Sequence, residues 1–245
     1  MFHLQLAGYS FSVDNHFDYL EKLCRDYRTD QPGELISIEE ADLAYERGNE
    51  GRWAEAYLES LAAYRKICER LVFRDILLFH CSALKFGEEG YLFTAPSGTG
   101  KSTHTRLWRE FFGSDVRMIN DDKPLLHVST DKITVYGTPF AGKEGLQENI
   151  SAPVKGIVIL HQSGENSIRR LSSQEAYPLL LNQTYRPRQP EGLLKTLELV
   201  QRLADLPVYS LGCTISTEAV ELACHALTGK KQNVMEKEIG ETNED

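Results

Sequence analysis

One segment constrains this chain more than any other: Ala95-Pro-Ser-Gly-Thr-Gly-Lys-Ser102. The apolar run Tyr91-Leu-Phe-Thr-Ala95 leads into it as a strand. Residues 103–112 lead out of it as a helix, with Leu107, Trp108, Phe111 and Phe112 facing a core. A strand, a glycine-rich turn and a helix in that order call for a sheet with helices packed on it. The pattern is that of a phosphate loop, with Ala95 where the first glycine is usual. Gly98 and Gly100 let the backbone aim successive N–H groups into one concavity. The helix opening near Lys101 adds the positive end of its dipole. Lys101 is suited to reach β- and γ-phosphates, and the Ser102 hydroxyl is suited to Mg²⁺. The expected nucleotide-binding set is Ala95, Pro96, Ser97, Gly98, Thr99, Gly100, Lys101, Ser102 and Thr103.

The rest of the chain is consistent with such a core. Phe2, Leu4 and Leu6 alternate with polar residues, the period of a half-buried strand. Asp14 stands as an N-cap candidate before the stripe Phe17, Leu20, Leu23, Cys24 and Tyr27. Trp53, Tyr57, Leu61, Tyr64, Ile67 and Leu71 recur at helical spacing, so a long amphipathic helix with core-facing aromatics is expected over about 51–71. A strand is expected at 76–86, turning at Gly87-Glu-Glu-Gly90. Further strands are expected at 116–119, 125–128, 133–136, 154–160 and 208–211, with helices at 173–181, 192–204 and 217–227. The predicted class is α/β: a phosphate-loop mixed β-sheet flanked by helices, preceded by a smaller α+β region. The expected division is 1–75, 76–229 and a disordered polar tail over 230–245.

Composition excludes several functions. With 27 basic and 36 acidic residues the net charge is −9, a poor basis for general binding of nucleic acid or anionic membrane. The five cysteines are odd in number and lack a Cys-x-x-Cys pair, which argues against a disulfide framework or zinc knuckle. No apolar run approaches the roughly 18 residues of a membrane span. The first residues have no basic segment before an apolar one, so no signal peptide is expected. A cytoplasmic location follows as the expectation.

Asn120-Asp121-Asp122-Lys123, at the end of a short apolar strand, supplies two adjacent carboxylates. One suits Mg²⁺ and the other suits the proton of an attacking hydroxyl. His80, inside an apolar run, reads either as a satisfied core residue or as a functional one. Lys143, in Gly137-Thr-Pro-Phe-Ala-Gly-Lys-Glu-Gly145, reads either as a solvated turn lysine or as facing an anion. Arg186 and Arg188 form a basic loop, whose guanidinium forks fit phosphate or carboxylate as well as they fit solvent. Arg106 and Arg109 read as surface or packing charges.

Taken together, His80-Cys-Ser-Ala, the Gly90 hairpin, Phe93 to His104 and Ile119-Asn-Asp-Asp-Lys-Pro124 resemble the catalytic domain of HPr kinase/phosphorylase. They also resemble the wider HPr-kinase-like group, distantly related to ATP-dependent phosphoenolpyruvate carboxykinases. The resemblance covers 76–160 and, more loosely, continues to 227. It implies ATP as donor, Mg²⁺ held at Ser102 and Asp121, Asp122 as base, and His80 and Lys101 against the transferred phosphate. The resemblance carries an arginine near the active site but aligns neither Arg186 nor Arg188 to it. Relatives form rings, so a homo-oligomer is compatible. There are departures. Thr103 stands where HPr kinases have a glutamate, and the glycine-rich signature segment gives way to 137–145. Residues 1–75 match nothing in those kinases. The implied acceptor is therefore a serine-like hydroxyl on a small molecule or peptide, without nucleic acid or membrane as partner. A nucleotide sensor without transfer and a carboxykinase-like enzyme are the alternatives.

Overall fold

The computed structural model describes residues 1–48 and 53–229. The polar stretch read as a tail, 230–245, and the start of the long helix read at 51–52 lie outside the described residues. Strand β1 (Phe2–Leu6) turns through Ala7-Gly8 into β2 (Tyr9–Asp14), with Leu6 opposite Tyr9. Both turn residues take positive φ, as a two-residue hairpin requires. Asp14 therefore ends a strand instead of capping a helix. Helix α1 (Asp18–Leu23) starts after Phe17, which makes no side-chain cap. The amides of His16 and Phe17 are instead accepted by the buried carboxylate of Glu59. Strand β3 (Glu34–Ser37) joins β2 in parallel, and α2 (Glu40–Arg47) and α3 (Glu55–Leu71) follow.

Helix α3 buries Leu58, Ala62, Ala63, Tyr64, Ile67, Cys68 and Leu71. Trp53 and Tyr57, expected in the core, are exposed and lean on one another at its start. The core that α3 builds with the first sheet continues into Ile76, Leu125 and Phe140.

The run 76–86 is two strands, not one. Strand β4 (Ile76–Leu78) pairs with β8 (Leu125–Val128), whereas β5 (Ser82–Phe86) lies between β6 (Glu89–Thr94) and β7 (Val116–Asn120). The chain changes partner over Phe79–Cys81, where the His80 amide donates to Gln183 O. Strand β9 (Ile133–Tyr136) and the 12-residue β10 (Ser151–Gln162) complete this side. Strand β10 is longer than the 154–160 expected. Its first residues pair with β9, and its later ones run parallel to β6 and to β12 (Val208–Cys213). Strand β11 (Ser167–Arg170), unmarked in the sequence, closes the edge against β12. Together these form a mixed sheet of nine strands.

Helices cover both faces of that sheet. Helices α4 (Lys101–Phe112) and α7 (Thr217–Thr228) pack on the face carrying Tyr91, Phe93, Val158 and Leu211. Helices α5 (Ser173–Asn182) and α6 (Pro190–Ala204) pack on the face carrying Ala83, Leu92 and Ile157. Trp108 and Phe112 of α4 are buried as expected, but Phe111 is exposed. Among the described residues no helix is long and apolar enough to cross a membrane.

Candidate active site

Strand β5 runs antiparallel to both of its neighbours, so β6 and β7 point the same way. Their C-terminal ends emerge at one sheet edge, separated by two strand spacings of about 10 Å in total. Strands β10 and β12, parallel to β6, end there too. Ligands of open α/β sheets bind at this kind of edge.

The glycine-rich loop 95–100 leaves β6 and opens α4 at Lys101. Gly98 (φ +80°) and Gly100 (φ +118°) adopt backbone that side chains avoid, and an added Cβ at either would meet open space. The helix's first intrahelical bond runs from His104 N to Gly100 O. The amides of Lys101, Ser102 and Thr103 precede it and point out of the first turn. Pro96, Ser97, Gly98 and Ser102 are exposed; Ala95 is buried. Lys101 is buried, and its Nζ donates to Ala95 O at 2.9 Å. Burial pushes its ammonium down from the ordinary value, while the charge of Asp122 works the other way. Beyond the loop, a cleft of about 430 Å³ runs between α4 and the ends of β10 and β12. Thr103, Leu107, Gln162, Cys213 and Ile215 contribute to its walls.

The carboxylate turn is built differently. Asn120 is fully buried, and its Oδ1 accepts from the amides of Asp122 (2.9 Å) and Lys123 (2.8 Å). Its Nδ2 donates to Thr138 O at 3.1 Å. This side chain folds the chain back so that both aspartates follow the strand end. Asp121 is buried, and its Oδ1 accepts from Gly142 N at 2.7 Å. Burial raises its carboxyl above the ordinary value, opposed by that amide. Asp122 is half-buried between His80 Nε2 (3.3 Å) and Lys123 Nζ (2.8 Å). Burial works against its charge, but His80 and Lys123 outweigh it and hold the carboxyl at about 2.

His80 lies at the break between β4 and β5. Its carbonyl accepts from Thr94 Oγ1 at the end of β6 (2.8 Å), and its Nδ1 meets Gln183 Oε1 (2.8 Å). Lys101, His80, Asp121 and Asp122 are thus assembled around the ends of three adjoining strands. Lys143 is exposed, next to the Gly142 that contacts Asp121. From Gln183 the chain runs antiparallel to β4, away from His80, and Arg188 stacks on the Tyr45 ring of α2 at 4.3 Å. Arg186 is exposed on the same stretch. Arg109 is 3.6 Å from Glu144 and Arg106 is 2.7 Å from Glu110.

Sequence reasoning missed Asn120, Gln183 and Gly142 as supports of these side chains. Only Asn120, adjacent to the aspartates, offered a signal. Among the described residues no three His, Cys, Asp or Glu side chains converge to hold a metal unaided. The donors present, one hydroxyl at Ser102 and one carboxylate at Asp121, fit Mg²⁺, which ordinarily takes one or two protein oxygens along with substrate phosphates and water.

No family model and no curated protein matches this chain. Among solved structures it is similar to the Hpr(Ser) kinase/phosphatase from Coxiella burnetii, at 15% identity and a TM-score of 0.29. The match covers 51% of this chain and 90% of that one.

Proposed function

We propose that this chain is an ATP- and Mg²⁺-dependent phosphotransferase acting on a serine-like hydroxyl of a small molecule or peptide. One observation carries the reading. A glycine-rich helix start and a pair of carboxylates end parallel strands at one sheet edge, close enough that the Asp122 charge acts on Lys101. The amides of Lys101, Ser102 and Thr103 cradle the phosphates, and the buried lysine exchanges Ala95 O for the γ-phosphate. Ser102 and Asp121 would hold Mg²⁺, which neutralises charge on the phosphate oxygens. The base and ribose extend into the cleft beside Leu107 and Gln162.

In transfer, the acceptor oxygen bonds to the γ-phosphorus. The bond from that phosphorus to the β–γ bridging oxygen breaks, and ADP leaves with the electron pair. The hydroxyl proton passes to Asp122. To accept it, the carboxylate gives up a contact with Lys123 or His80, which raises its basicity. The test is incubation with Mg-ATP and pools of hydroxyl compounds or serine peptides, followed for ADP and a phosphorylated product. Asp122→Asn is run in parallel. Transfer in the native chain that is lost in the variant, with ATP affinity kept within a few-fold, is the expected result. Unchanged turnover in the variant would remove Asp122 as base.

A nucleotide sensor without transfer is the second reading, favoured by the fact that both Asp122 oxygens already have partners. It predicts Mg-ATP binding with no product from any pool.

A further inference from the structure

Tyr64 belongs to α3, within the region 1–75 that the sequence reading left without a role, and it lies 59 residues before the carboxylate turn. Its side chain is buried, and its hydroxyl donates to Lys123 O at 2.7 Å. Burial keeps the phenol well above its ordinary pKa, so the hydroxyl stays a donor. The same carbonyl accepts from Thr138 Oγ1 at 2.9 Å, so two donors fix the Lys123–Pro124 peptide, one residue beyond Asp122. The ring makes a second contact: it stacks on Phe140 with centroids 4.0 Å apart and planes 11° from parallel. Phe140 stands two residues before Gly142, whose amide holds Asp121. Thus one side chain reaches both carboxylates, Asp122 through the backbone of Lys123 and Asp121 through the 140–142 segment.

Helix α3 touches the His80 side of the site as well. Glu69 accepts from Tyr185 OH at 3.1 Å, and Tyr185 lies two residues beyond the Gln183 that faces His80. Three ion pairs brace the helix against α2: Arg65 meets Asp42 at 2.8 Å and Glu46 at 2.6 Å, and Lys66 meets Asp42 at 2.6 Å.

We infer that Tyr64 is a positioning residue of the active site, holding the Asp121–Lys123 turn in register with the glycine-rich loop, and that α3 is structural backing for catalysis. The inference rests on the phosphotransferase reading, but part of its test does not. Tyr64→Phe removes the hydroxyl and keeps the stack; Tyr64→Leu removes both. Thr196→Val, which deletes another buried hydroxyl bond in α6 far along the chain, is the control for lost stability.

Each full-length variant is assayed for ADP release from Mg-ATP in the presence of the hydroxyl-compound and serine-peptide pools, for thermal melting, and for amide hydrogen exchange at Asp122 and Lys123. A misplacement of about 1 Å costs up to about 100-fold in rate. Tyr64→Phe is accordingly expected to lower kcat about tenfold with KM for Mg-ATP within twofold. It is also expected to speed exchange at the two amides, and Tyr64→Leu to do more of both. Thr196→Val should melt lower without changing kcat. Unchanged kcat in Tyr64→Phe, or an equal loss in Thr196→Val, overturns the inference. If the native chain releases no ADP, the phosphotransferase reading fails, and the exchange data alone decide whether Tyr64 positions the turn. Unaltered protection then overturns this inference too.

Discussion

Residues 95–100 and residues 120–123 meet at one sheet edge, but the molecule holds them in opposite ways. The loop is largely exposed. Lys101 Nζ bonds Ala95 O across it, and the Gln162 side chain reaches Thr99 O at 3.4 Å. The turn is gripped from four directions, by Asn120, by Gly142, by Thr138 and by Tyr64. On the proposed reading, a cup for a flexible polyphosphate can wait for its ligand to shape it. Two neighbouring carboxylates that must not drift together or apart need a frame built beforehand. The difference teaches that this protein concentrates its rigidity on the acid side of the site.

Changes to the loop should therefore injure function more than stability, and changes to the turn should injure both. The largest effect is expected from Lys101→Met. Transfer should fall about 100- to 1,000-fold, as for loss of one strong donor to developing charge. Melting temperature should hold or rise, since a buried ammonium is removed. A marked drop in melting temperature would erase the contrast.

Asn120→Ala comes next. It leaves two amides without their acceptor in a buried place, at about 1–3 kcal/mol each. Denaturant unfolding should register a loss of that order along with lost turnover. Gly142→Ala sharpens the same point, because its Cβ would lie 2.5 Å from Asp121 Oδ2. That carboxylate must move, at a cost of about 1–3 kcal/mol. The Mg²⁺ concentration for half-maximal activity should rise; no shift would separate Asp121 from the metal.

Gly98→Ala is milder, about 1–2 kcal/mol for a residue held at positive φ in open space. Its damage should fall on nucleotide affinity, read by calorimetry. Acid gives the smallest effect. Burial resists the Asp42 charge, but Lys66 and Arg65 hold its carboxyl at about 2. A depressed folded value stabilises above the unfolded carboxyl pKa near about 3.9 and loses that contribution as pH falls through about 2. Melting followed from pH 7 to pH 2 should show a larger loss in the native chain than in Asp42→Asn, which keeps the acid sensitivity of Asp122.

The same contrast explains what could be read before any coordinates. The loop is a local object, in which glycines, lysine and serine at set spacing specify strand, turn and helix within twelve residues. A mixed sheet with covering helices was likewise legible from the apolar runs, apart from β11 and the division of 76–86. The supports of the turn were not, because Tyr64 lies 59 residues from Lys123 and Gln183 lies 103 from His80. Nothing in a tyrosine at helical spacing distinguishes a core ring from one whose hydroxyl reaches another element. The split of 76–86 was hidden for a similar reason: both halves are apolar, and only the partner changes. The hairpin at Ala7-Gly8 lacked the usual Asn-Gly or Asp-Gly cue.

Strand β10 carries one further consequence. It belongs to two ladders, antiparallel with β9 over 151–153 and parallel between β6 and β12 farther along. A jaw-like swing of the β4–β8–β9 wing against the loop-bearing wing would have to tear this continuous spine. On the phosphotransferase reading, any movement that admits nucleotide is accordingly expected in the connectors at the sheet edge and not between the two wings.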